Sequence, residues 1–483
     1  MSSRDPLFNM NDERLEMIRV LLIDRSWPMV GKVAKKFADS VRGSDIQVFF
    51  LTDKEPSGVN GNIETINIYD VPQHRSLEEL QTAYPFSLHK TLVTERAYYD
   101  YSSFRRSQCY SRLSEKQIAE RITPFANAFD YAIREKTDLV LEWFPDCFIP
   151  SLSGKIAEYY GKPFRMFLQH YWWSDGAFYV DRMDTTSTVV DRNYRLYYDN
   201  PDLCNREKLD NIFKAKKTLY GFSSGEMYTL LMRVRQVLIR MKSYEPLSVR
   251  NWIVRKISKE WSAALIRTLI PRHLEPLDEP FVIYPLHIQP EASLLGTYPE
   301  LADQFGLIKN ISMNLPYGVK LYVKEHPYSD LGLGLDYDFY RRLDALPNVR
   351  IFYGKARLDK LIEHPRFLAV AALSGTVCFD AAIKRKPVFL FGRAIFGAAD
   401  CFIKPSNFED LCAQIMSIQR GEFRFNERAL YAMMNALDAS IIRGNDVDFL
   451  EHTNASSLFM SFTDIMRRYA ESRAWEQAGQ EGS

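Results

Sequence analysis

The sequence predicts an α/β protein built from two doubly wound, Rossmann-like domains that face each other across a cleft, with a helical segment between them. In both halves of the 483-residue chain, short apolar runs alternate with amphipathic helical stretches, which is typical of parallel sheets. Between the halves, from about 190 to 275, no strand pattern occurs. The length also favours two or more domains over one.

The first half opens with a strand, a helix and a second strand, the signature of a βαβ unit. The apolar run 18–23 precedes a stretch over 29–41 that is apolar on one face, and a further apolar run covers 46–51. The remaining elements expected in this half are strands over 63–68, 139–142 and 164–168 and a helix over 149–160.

Strand–helix alternation resumes at Phe281 and continues for more than a hundred residues. The expected strands cover 281–285, 319–323, 349–352, 367–371 and 388–391. The expected helices cover 298–314, 337–345, 356–363 and 376–384. This pattern predicts a second α/β unit with a parallel sheet of its own.

These patterns divide the chain into four parts. We expect a first Rossmann-like domain over 1–185, a helical linker or insertion over 186–278, a second Rossmann-like domain over 279–425, and helices with a polar tail over 426–483. The helices near 407–420, 426–440 and 454–473 precede no strand, so they either pack on the outside or cross back to the first domain.

Composition excludes several classes of function. Lys and Arg number 62 against 61 Asp and Glu, and a net charge of +1 argues against a nucleic-acid partner. The six cysteines have no zinc-ligand spacing, and no H-E-x-x-H, P-loop or strand-following G-x-G-x-x-G pattern occurs, so we expect no metal and no cofactor. Residues 1–11 lack the apolar stretch of a signal peptide, and no 18-residue apolar run occurs. The expected location is the cytoplasm, including the inner face of the membrane.

Polar segments follow the strands of the second half, where ligands bind in open α/β sheets. Ser374, Gly375 and Thr376 come directly before a helix, and a helix N-terminus offers free N–H groups and partial positive charge to a phosphate. Ser and Thr are also ordinary helix caps, so a purely structural role stays open. Phe391, Gly392 and Arg393 form another such segment.

Two more segments bring histidines to the same expected edge. Lys324, His326 and Pro327 place a cation and an imidazole after a strand, where both suit phosphate or ribose oxygens; the alternative is an ordinary surface loop. The other segment follows the first strand of this half and contains His287, Gln289 and Glu291. In it, Glu291 suits a ribose hydroxyl, and His287 is either a ligand or a satisfied core histidine.

In the first half, two acidic residues stand at strand ends among aromatic residues. Glu142 precedes Trp143, and Asp175 follows Trp172 and Trp173. A carboxylate in apolar surroundings suits a general base, and aromatic rings stack on sugars, although both are more often structural.

The segment 233–272 is strongly basic. Ten Lys and Arg residues oppose only Glu245 and Glu260, and apolar residues recur every fourth position from Ile253 to Leu269. This pattern predicts either contact with an anionic membrane surface or acidic polysaccharide, or the solvated face of an interdomain helix.

Three segments, YPLHIQPEAS, YVKEHP and LSGTVCFDAAIKRKPVFLFG, resemble in order and spacing the C-terminal domain of the capsule polysaccharide biosynthesis family. That family includes bacterial transferases of 3-deoxy-manno-octulosonic acid (Kdo) from its CMP-activated form, and it is similar in fold to two-domain glycosyltransferases of the GT-B type. The resemblance is good over about 280–400 and only general over the first domain, and none is apparent over 190–275.

The resemblance implies that the nucleotide phosphate is held by His326 and Pro327 and by the small residues Ser374, Gly375 and Thr376, with Lys324 beside them. In the first domain the Kdo transferases have a Gln followed four residues later by an Asp. Here Gln169 is followed at that distance by Trp173, and the nearest Asp is Asp175. The bacterial polysialyltransferases have an acidic pair before a Gly, of which only Asp175 is present.

The sequence therefore predicts a metal-independent glycosyltransferase that uses a nucleotide-activated sugar, with a CMP-linked Kdo-like sugar as first choice, and a polysaccharide or glycolipid acceptor. Either Asp175 or Glu142 is expected to act as the base. The alternatives are a polyol-phosphate transferase, a nucleotide-sugar epimerase of similar fold, and a non-catalytic binding protein of polysaccharide export.

Overall fold

The computed structural model describes most of the chain, and the described part contains two separate sheets. The described residues are 17–23, 30–53, 63–72, 75–92, 115–143, 148–169, 176–182, 186–219, 257, 260–287, 301, 303–327 and 336–443.

The first sheet has seven strands in the order β12-β6-β5-β4-β1-β2-β3. Strands β1 to β5 pair in parallel, whereas β6 is antiparallel to β5 and β12 is antiparallel to β6. The strands are β1 (Ile18–Ile23), β2 (Ile46–Thr52), β3 (Ile63–Asn67), β4 (Leu139–Trp143), β5 (Phe164–Gln169), β6 (Gly176–Val180) and β12 (Ile442–Arg443).

The second sheet has five parallel strands in the order β11-β10-β7-β8-β9. Nearly every side chain in these strands is buried, as expected of a parallel sheet that is covered on both faces. The strands are β7 (Phe281–Pro285), β8 (Lys320–Lys324), β9 (Val349–Phe352), β10 (Phe367–Ala372) and β11 (Val388–Leu390).

Fourteen helices are described, and they cover the sheets and join the two domains. In the first 220 residues they are α1 (Val30–Ser40), α2 (Leu77–Ala83), α3 (Leu88–Leu92), α4 (Glu115–Glu135), α5 (Phe148–Tyr159), α6 (Thr188–Asp199) and α7 (Arg206–Leu219). The later helices are α8 (260–269), α9 (Gln304–Met313), α10 (Tyr337–Asp344), α11 (Leu358–Glu363), α12 (Thr376–Ile383), α13 (Phe408–Gln419) and α14 (Glu427–Ser440).

Three stacked aromatic rings form part of the core beneath the second sheet. Phe281, Tyr322 and Phe352 come from three neighbouring strands. The Tyr322 ring centroid lies 4.0 Å from that of Phe281 and 4.4 Å from that of Phe352. All three side chains are fully buried. Each such burial is worth roughly 1.5–3 kcal/mol, and the stack holds β7, β8 and β9 in register.

The helix α14 crosses back from the second domain to the first. It packs along α6, and the Asn193 side-chain amide donates to the Ser440 hydroxyl at 2.9 Å. The side-chain amide oxygen of Asn435 accepts from the Asn205 backbone N–H at 3.0 Å. Directly after α14, β12 pairs with β6 at the edge of the first sheet. Of the two arrangements expected for the late helices, α14 therefore adopts the second.

The predicted two-domain α/β fold is confirmed, and each of the ten predicted strands ends within one residue of its expected bounds. The helix expected over 298–314 begins only at Gln304. The helix expected over 454–473 lies outside the described residues, as do the loops after β1, β4 and β5 that would line the first domain's side of the cleft. Within the described ranges, no helix is long and apolar enough to cross a bilayer.

Candidate functional site

The carboxyl ends of β7, β8 and β10 bring the predicted second-domain motifs together. After β7, the chain forms β8 and β9 on one side of that strand, and β10 and β11 then lie on its other side. The gap between β7 and β10 is therefore a topological switch point, where α/β sheets bind ligands. His287 follows β7, His326 follows β8, and Ser374 follows β10.

Gly375 forms the turn between β10 and α12. Its φ and ψ angles are 105° and 169°, a conformation in which a Cβ atom is strained, and nothing lies within 4 Å of the position that a Cβ would occupy. Gly375 is also the N-cap residue of α12, and no side-chain hydrogen bond caps this helix. The first N–H groups of α12 thus have no side-chain cap, and no side chain of Gly375 stands in front of them. A phosphate binds at a helix N-terminus through such free N–H groups.

The hydroxyls on either side of Gly375 are accessible. Thr376 is exposed and Ser374 is half-buried, and neither serves as the helix cap. The geometry therefore does not support the alternative in which Ser374 or Thr376 serves only as the helix cap. Their binding of a phosphate stays a prediction.

The backbone of His326 and Pro327 packs against Gly354, which follows β9. A Cβ atom at Gly354 would lie 2.4 Å from the His326 carbonyl oxygen and 3.3 Å from the Pro327 Cα. Only glycine fits at this distance. The loop after β9 thus supports the loop after β8 directly, and the half-buried His326 stands on a fixed backbone.

The Lys324 side chain is buried and turned toward main-chain carbonyls. Its Nζ donates to the Gly354 carbonyl at 2.7 Å and to the Glu325 carbonyl at 3.0 Å. Burial lowers the pKa of Lys324 to about 8, and the neighbouring Glu325 charge opposes this shift in part. Its direct contact with a donor phosphate stays a prediction; the contacts described are those of a residue that supports the loop.

Glu325 is also buried, and its carboxylate is fully engaged. One oxygen accepts from Arg272 Nη1 at 3.2 Å and the other from the Gly354 backbone N–H at 3.1 Å. The Arg272 guanidinium lies over the Tyr353 ring, 4.2 Å from its centroid. Arg272 was counted in the basic segment 233–272, but its side chain is only 6% exposed and pairs internally.

His287 is held in place through its backbone. Its N–H donates to the Gln304 side-chain oxygen at 2.9 Å, and its carbonyl accepts from the Gln304 side-chain nitrogen at 3.1 Å. Gln304 is the first residue of α9 and is buried. Gln289 and Glu291, expected beside His287, lie outside the described residues.

The two candidate bases belong to the first domain. Glu142 is the fourth residue of β4, opposite Met166 of β5, and its side chain is buried. Asp175 stands directly before β6 and lies outside the described residues, so its distance from Glu142 and from the second domain is not described. The choice between them stays a prediction. Among the residues that the structure describes, no group of three or more His, Cys, Asp or Glu is placed to hold a metal ion.

Three residues that support the site were missed in the sequence. The residues that support the His326 loop are distant from it in the sequence: Arg272 lies 54 residues before His326, and Gly354 lies 28 residues after it. Gln304 lies 17 residues after His287. None of the three belongs to a recognisable motif. A glycine directly after a strand, as in Gly354, is the one local signal of a close backbone approach.

Comparison with known proteins supports the resemblance. The family described as capsule polysaccharide biosynthesis protein matches residues 202–399, which include all five strands of the second sheet. No curated protein sequence is detectably similar to the chain. The three motif segments lie within the matched range, so the predicted resemblance to the capsule polysaccharide biosynthesis family is confirmed there. The match also extends over 202–275, so the expectation of no resemblance over 190–275 is wrong for most of that segment.

Several solved structures show partial similarity. The Thermosulfurimonas dismutans KpsC beta Kdo 2,4 transferase is 15% identical, with a TM-score of 0.31 and 62% of this chain and 79% of that one covered. The KpsC beta Kdo 2,7 transferase of the same organism is 12% identical, with a TM-score of 0.28 and coverages of 72% and 88%. The UDP-GlcNAc 2-epimerase from Methanocaldococcus jannaschii is 13% identical, with a TM-score of 0.20 and coverages of 94% and 99%.

Proposed function

We propose that this chain is a glycosyltransferase of capsule or surface polysaccharide biosynthesis that takes its sugar from a nucleotide-activated donor. The observation that carries the proposal is the Gly375 turn at the switch point, where an uncapped helix N-terminus and two accessible hydroxyls meet. The family match over 202–399 supports the same role. A CMP-linked, Kdo-like acidic sugar is the first choice of donor.

In this proposal the donor phosphate lies at the N-terminus of α12, between the ends of β7 and β10. The N–H groups of the first turn and the Ser374 and Thr376 hydroxyls donate to the phosphate oxygens, and His326 donates from the end of β8. On the strength of the sequence, Glu291 is assigned to a ribose hydroxyl, and His287 and Gln289 are assigned to the donor nucleotide. Positive charge at this edge stabilises the phosphate as it departs from the sugar.

The first domain is proposed to hold the polysaccharide or glycolipid acceptor. Either Asp175 or Glu142 removes the proton from the acceptor hydroxyl as the glycosidic bond forms, while the phosphate leaves with the bonding electron pair. The chemistry needs a positioned base and a stabilised leaving group, and this proposal assigns both to side chains and helix N–H groups, without a metal.

The first test is calorimetric binding of CMP, CDP, UDP and GDP, with and without magnesium. We expect one nucleotide to bind in the micromolar range without magnesium and His326→Ala to weaken it at least about tenfold, because a phosphate contact is lost. His364→Ala is the matched control: it removes a histidine at the end of α11, before the amino end of β10, and should leave binding unchanged.

No binding by any of the four nucleotides would reject the donor site and favour the non-catalytic export protein. If a nucleotide binds, product analysis with its sugar donor decides the reaction. A new glycosidic bond supports the glycosyltransferase, whereas a transferred polyol phosphate or an epimerised donor sugar supports one of the two enzymatic alternatives.

We also propose that the segment 233–272 contacts an anionic membrane surface. On α8 and just before it, Ile257, Trp261 and Leu269 are 65%, 68% and 54% exposed, while Ile266 on the other face is buried. An exposed apolar stripe in a basic segment suits the interface of an anionic bilayer. The proposed contact places the enzyme where a glycolipid acceptor is found.

Vesicle co-sedimentation tests this contact. We expect binding to vesicles that contain phosphatidylglycerol, weaker binding to pure phosphatidylcholine, and a several-fold loss in Trp261→Ser/Leu269→Ser, because each exposed side chain contributes its burial energy. The control Met416→Ser changes an exposed apolar residue of α13 and should have no effect. Equal sedimentation of the wild type and the double variant would reject the stripe as the contact.

A further inference from the structure

A buried ion pair, Arg272 with Glu325, lies beneath the backbone of His326. The side chains of Arg272 and Glu325 are only 6% and 2% exposed. Arg272 comes from the segment between α8 and β7, so the pair joins that segment to the loop after β8, 53 residues away in the sequence. No feature of the proposed donor site requires a charged pair at this depth.

Burying this ion pair costs desolvation free energy, so its presence indicates a role other than stability. Removing two charges from water costs several kcal/mol, and a hydrophobic replacement is often as stable. Here every described contact of the Glu325 carboxylate leads toward the loop after β9. Glu325 binds Arg272 with one oxygen and the Gly354 N–H with the other, and Arg272 covers the Tyr353 ring.

The Gly354 residue is thereby held at both of its polar groups. Its N–H donates to the Glu325 carboxylate at 3.1 Å, and its carbonyl accepts from Lys324 Nζ at 2.7 Å. The same glycine is in close contact with the His326 carbonyl. A displacement of Gly354 therefore displaces the backbone from which the His326 imidazole projects.

We infer that Arg272 and Glu325 are positioning residues for His326, which they hold in place through the Tyr353–Gly354 turn. Both side chains are buried, so we assign neither of them a contact with the donor or the acceptor. What His326 binds rests on the proposed function, but the geometry through which the pair acts does not. Arg272 is the specific member, because its planar guanidinium both stacks on Tyr353 and donates to Glu325, which a lysine does not reproduce.

The direct test follows the His326 ring by NMR in protein labelled at its eight histidines. The signal absent from His326→Ala identifies the residue. We expect Arg272→Lys, which keeps the charge but loses the stacking, to move or broaden the His326 signal. The control Asp278→Asn breaks the exposed Arg366–Asp278 pair, which lies close to β7 in the sequence, and should leave the signal in place. An unchanged His326 signal in Arg272→Lys would overturn the inference, whatever nucleotide the protein binds.

Glu325→Gln is the second variant and covers the case in which Arg272→Lys fails to fold. Glutamine retains an acceptor for the Gly354 N–H but leaves Arg272 without its partner charge. Far-ultraviolet circular dichroism establishes that the variant is folded. A shifted His326 signal supports the inference, and an unshifted one overturns it.

Nucleotide affinity supplies a readout that a general loss of packing would not reproduce. We expect Arg272→Lys to weaken binding about tenfold in the wild-type background, equivalent to roughly one hydrogen bond to a charged group. In the His326→Asn background the same change should add little, because the pair acts through His326. Full additivity of the two changes would overturn the inference. No effect of His326→Ala on binding would instead reject the proposed donor site, and the NMR result would still decide the positioning role.

Discussion

Replacement of Gly354 by alanine is expected to cost the protein about 1–3 kcal/mol or more in free energy of unfolding, the range for overpacking a buried site. The added Cβ would lie 2.4 Å from the His326 carbonyl oxygen, a backbone atom that cannot rotate away. The loops after β8 and β9 must separate, and the hydrogen bonds to Lys324 and Glu325 must lengthen. Urea denaturation followed by circular dichroism measures the loss.

The same variant should lose nucleotide binding by more than about tenfold even when it is fully folded, because His326 moves with the displaced backbone. The matched control is Gly318→Ala, before β8. Gly318 has a φ of 87°, but nothing lies within 4 Å of its Cβ position, so alanine adds backbone strain without a clash. The control should cost about 1–2 kcal/mol and leave binding intact. Wild-type binding by Gly354→Ala would contradict the described contact.

The second large effect is a pH dependence of stability that is due to Lys324. Its pKa is about 8 in the folded protein against an ordinary value of 10.5, so between these two values the unfolded chain binds more protons than the folded one. The free energy of unfolding therefore rises with pH across this window. The rise due to Lys324 is on the order of 3 kcal/mol, from 1.36 kcal/mol for each unit of pKa shift.

Lys324→Met isolates this contribution, because the other titrating groups are common to both proteins. We expect the stability of the wild type relative to Lys324→Met to increase from pH 8 to 10.5 and to stay constant below about pH 7, where Lys324 is charged in both states. Urea denaturation at half-unit steps of pH provides the curve. A flat difference over the whole range would show that Lys324 is not buried as a charged group.

Strand positions were predictable because buried parallel strands are marked by short, nearly continuous apolar runs. Val282 to Tyr284 and Leu321 to Val323 are fully buried in the structure, and both stand out in the sequence for the same reason. The order of motifs along a doubly wound sheet then placed His287, His326 and Ser374 at one edge.

Other parts of the fold were not predictable from local pattern. The strand β6 follows β5 after a short connection and pairs antiparallel with it, an arrangement that the strand–helix alternation of the sequence does not indicate. The long helix α4 contains Pro124, and proline in a sequence ordinarily argues against a continuous helix. Both elements depend on tertiary contacts that a sequence window does not contain.

The supporting contacts of the site depend on the same kind of information. The sequence predicted Lys324 as a cation for phosphate or ribose oxygens, with an ordinary surface loop as the alternative. In the structure Lys324 and Glu325 both turn inward, because Gly354 and Arg272 provide partners there. Gln304 was indistinguishable from any polar residue at the start of a helix, and its bidentate bond to the His287 backbone exists only once α9 has folded against β7. The motifs thus indicated which residues lie at the carboxyl edge of the second sheet, and only the fold showed which contacts support them there.

The path of α14 and β12 has a consequence for cutting the chain in two. The first domain takes its outermost strand and the partner of α6 from residues 427–443, beyond the end of the second sheet in sequence. A fragment that stops before 186 would expose the open edge of β6, which invites aggregation. A fragment that starts at 279 would carry α14 without the helix on which it packs. The first domain is therefore built from two separate parts of the chain. We expect neither domain to fold fully from one continuous segment that leaves out residues 427–443 or α6.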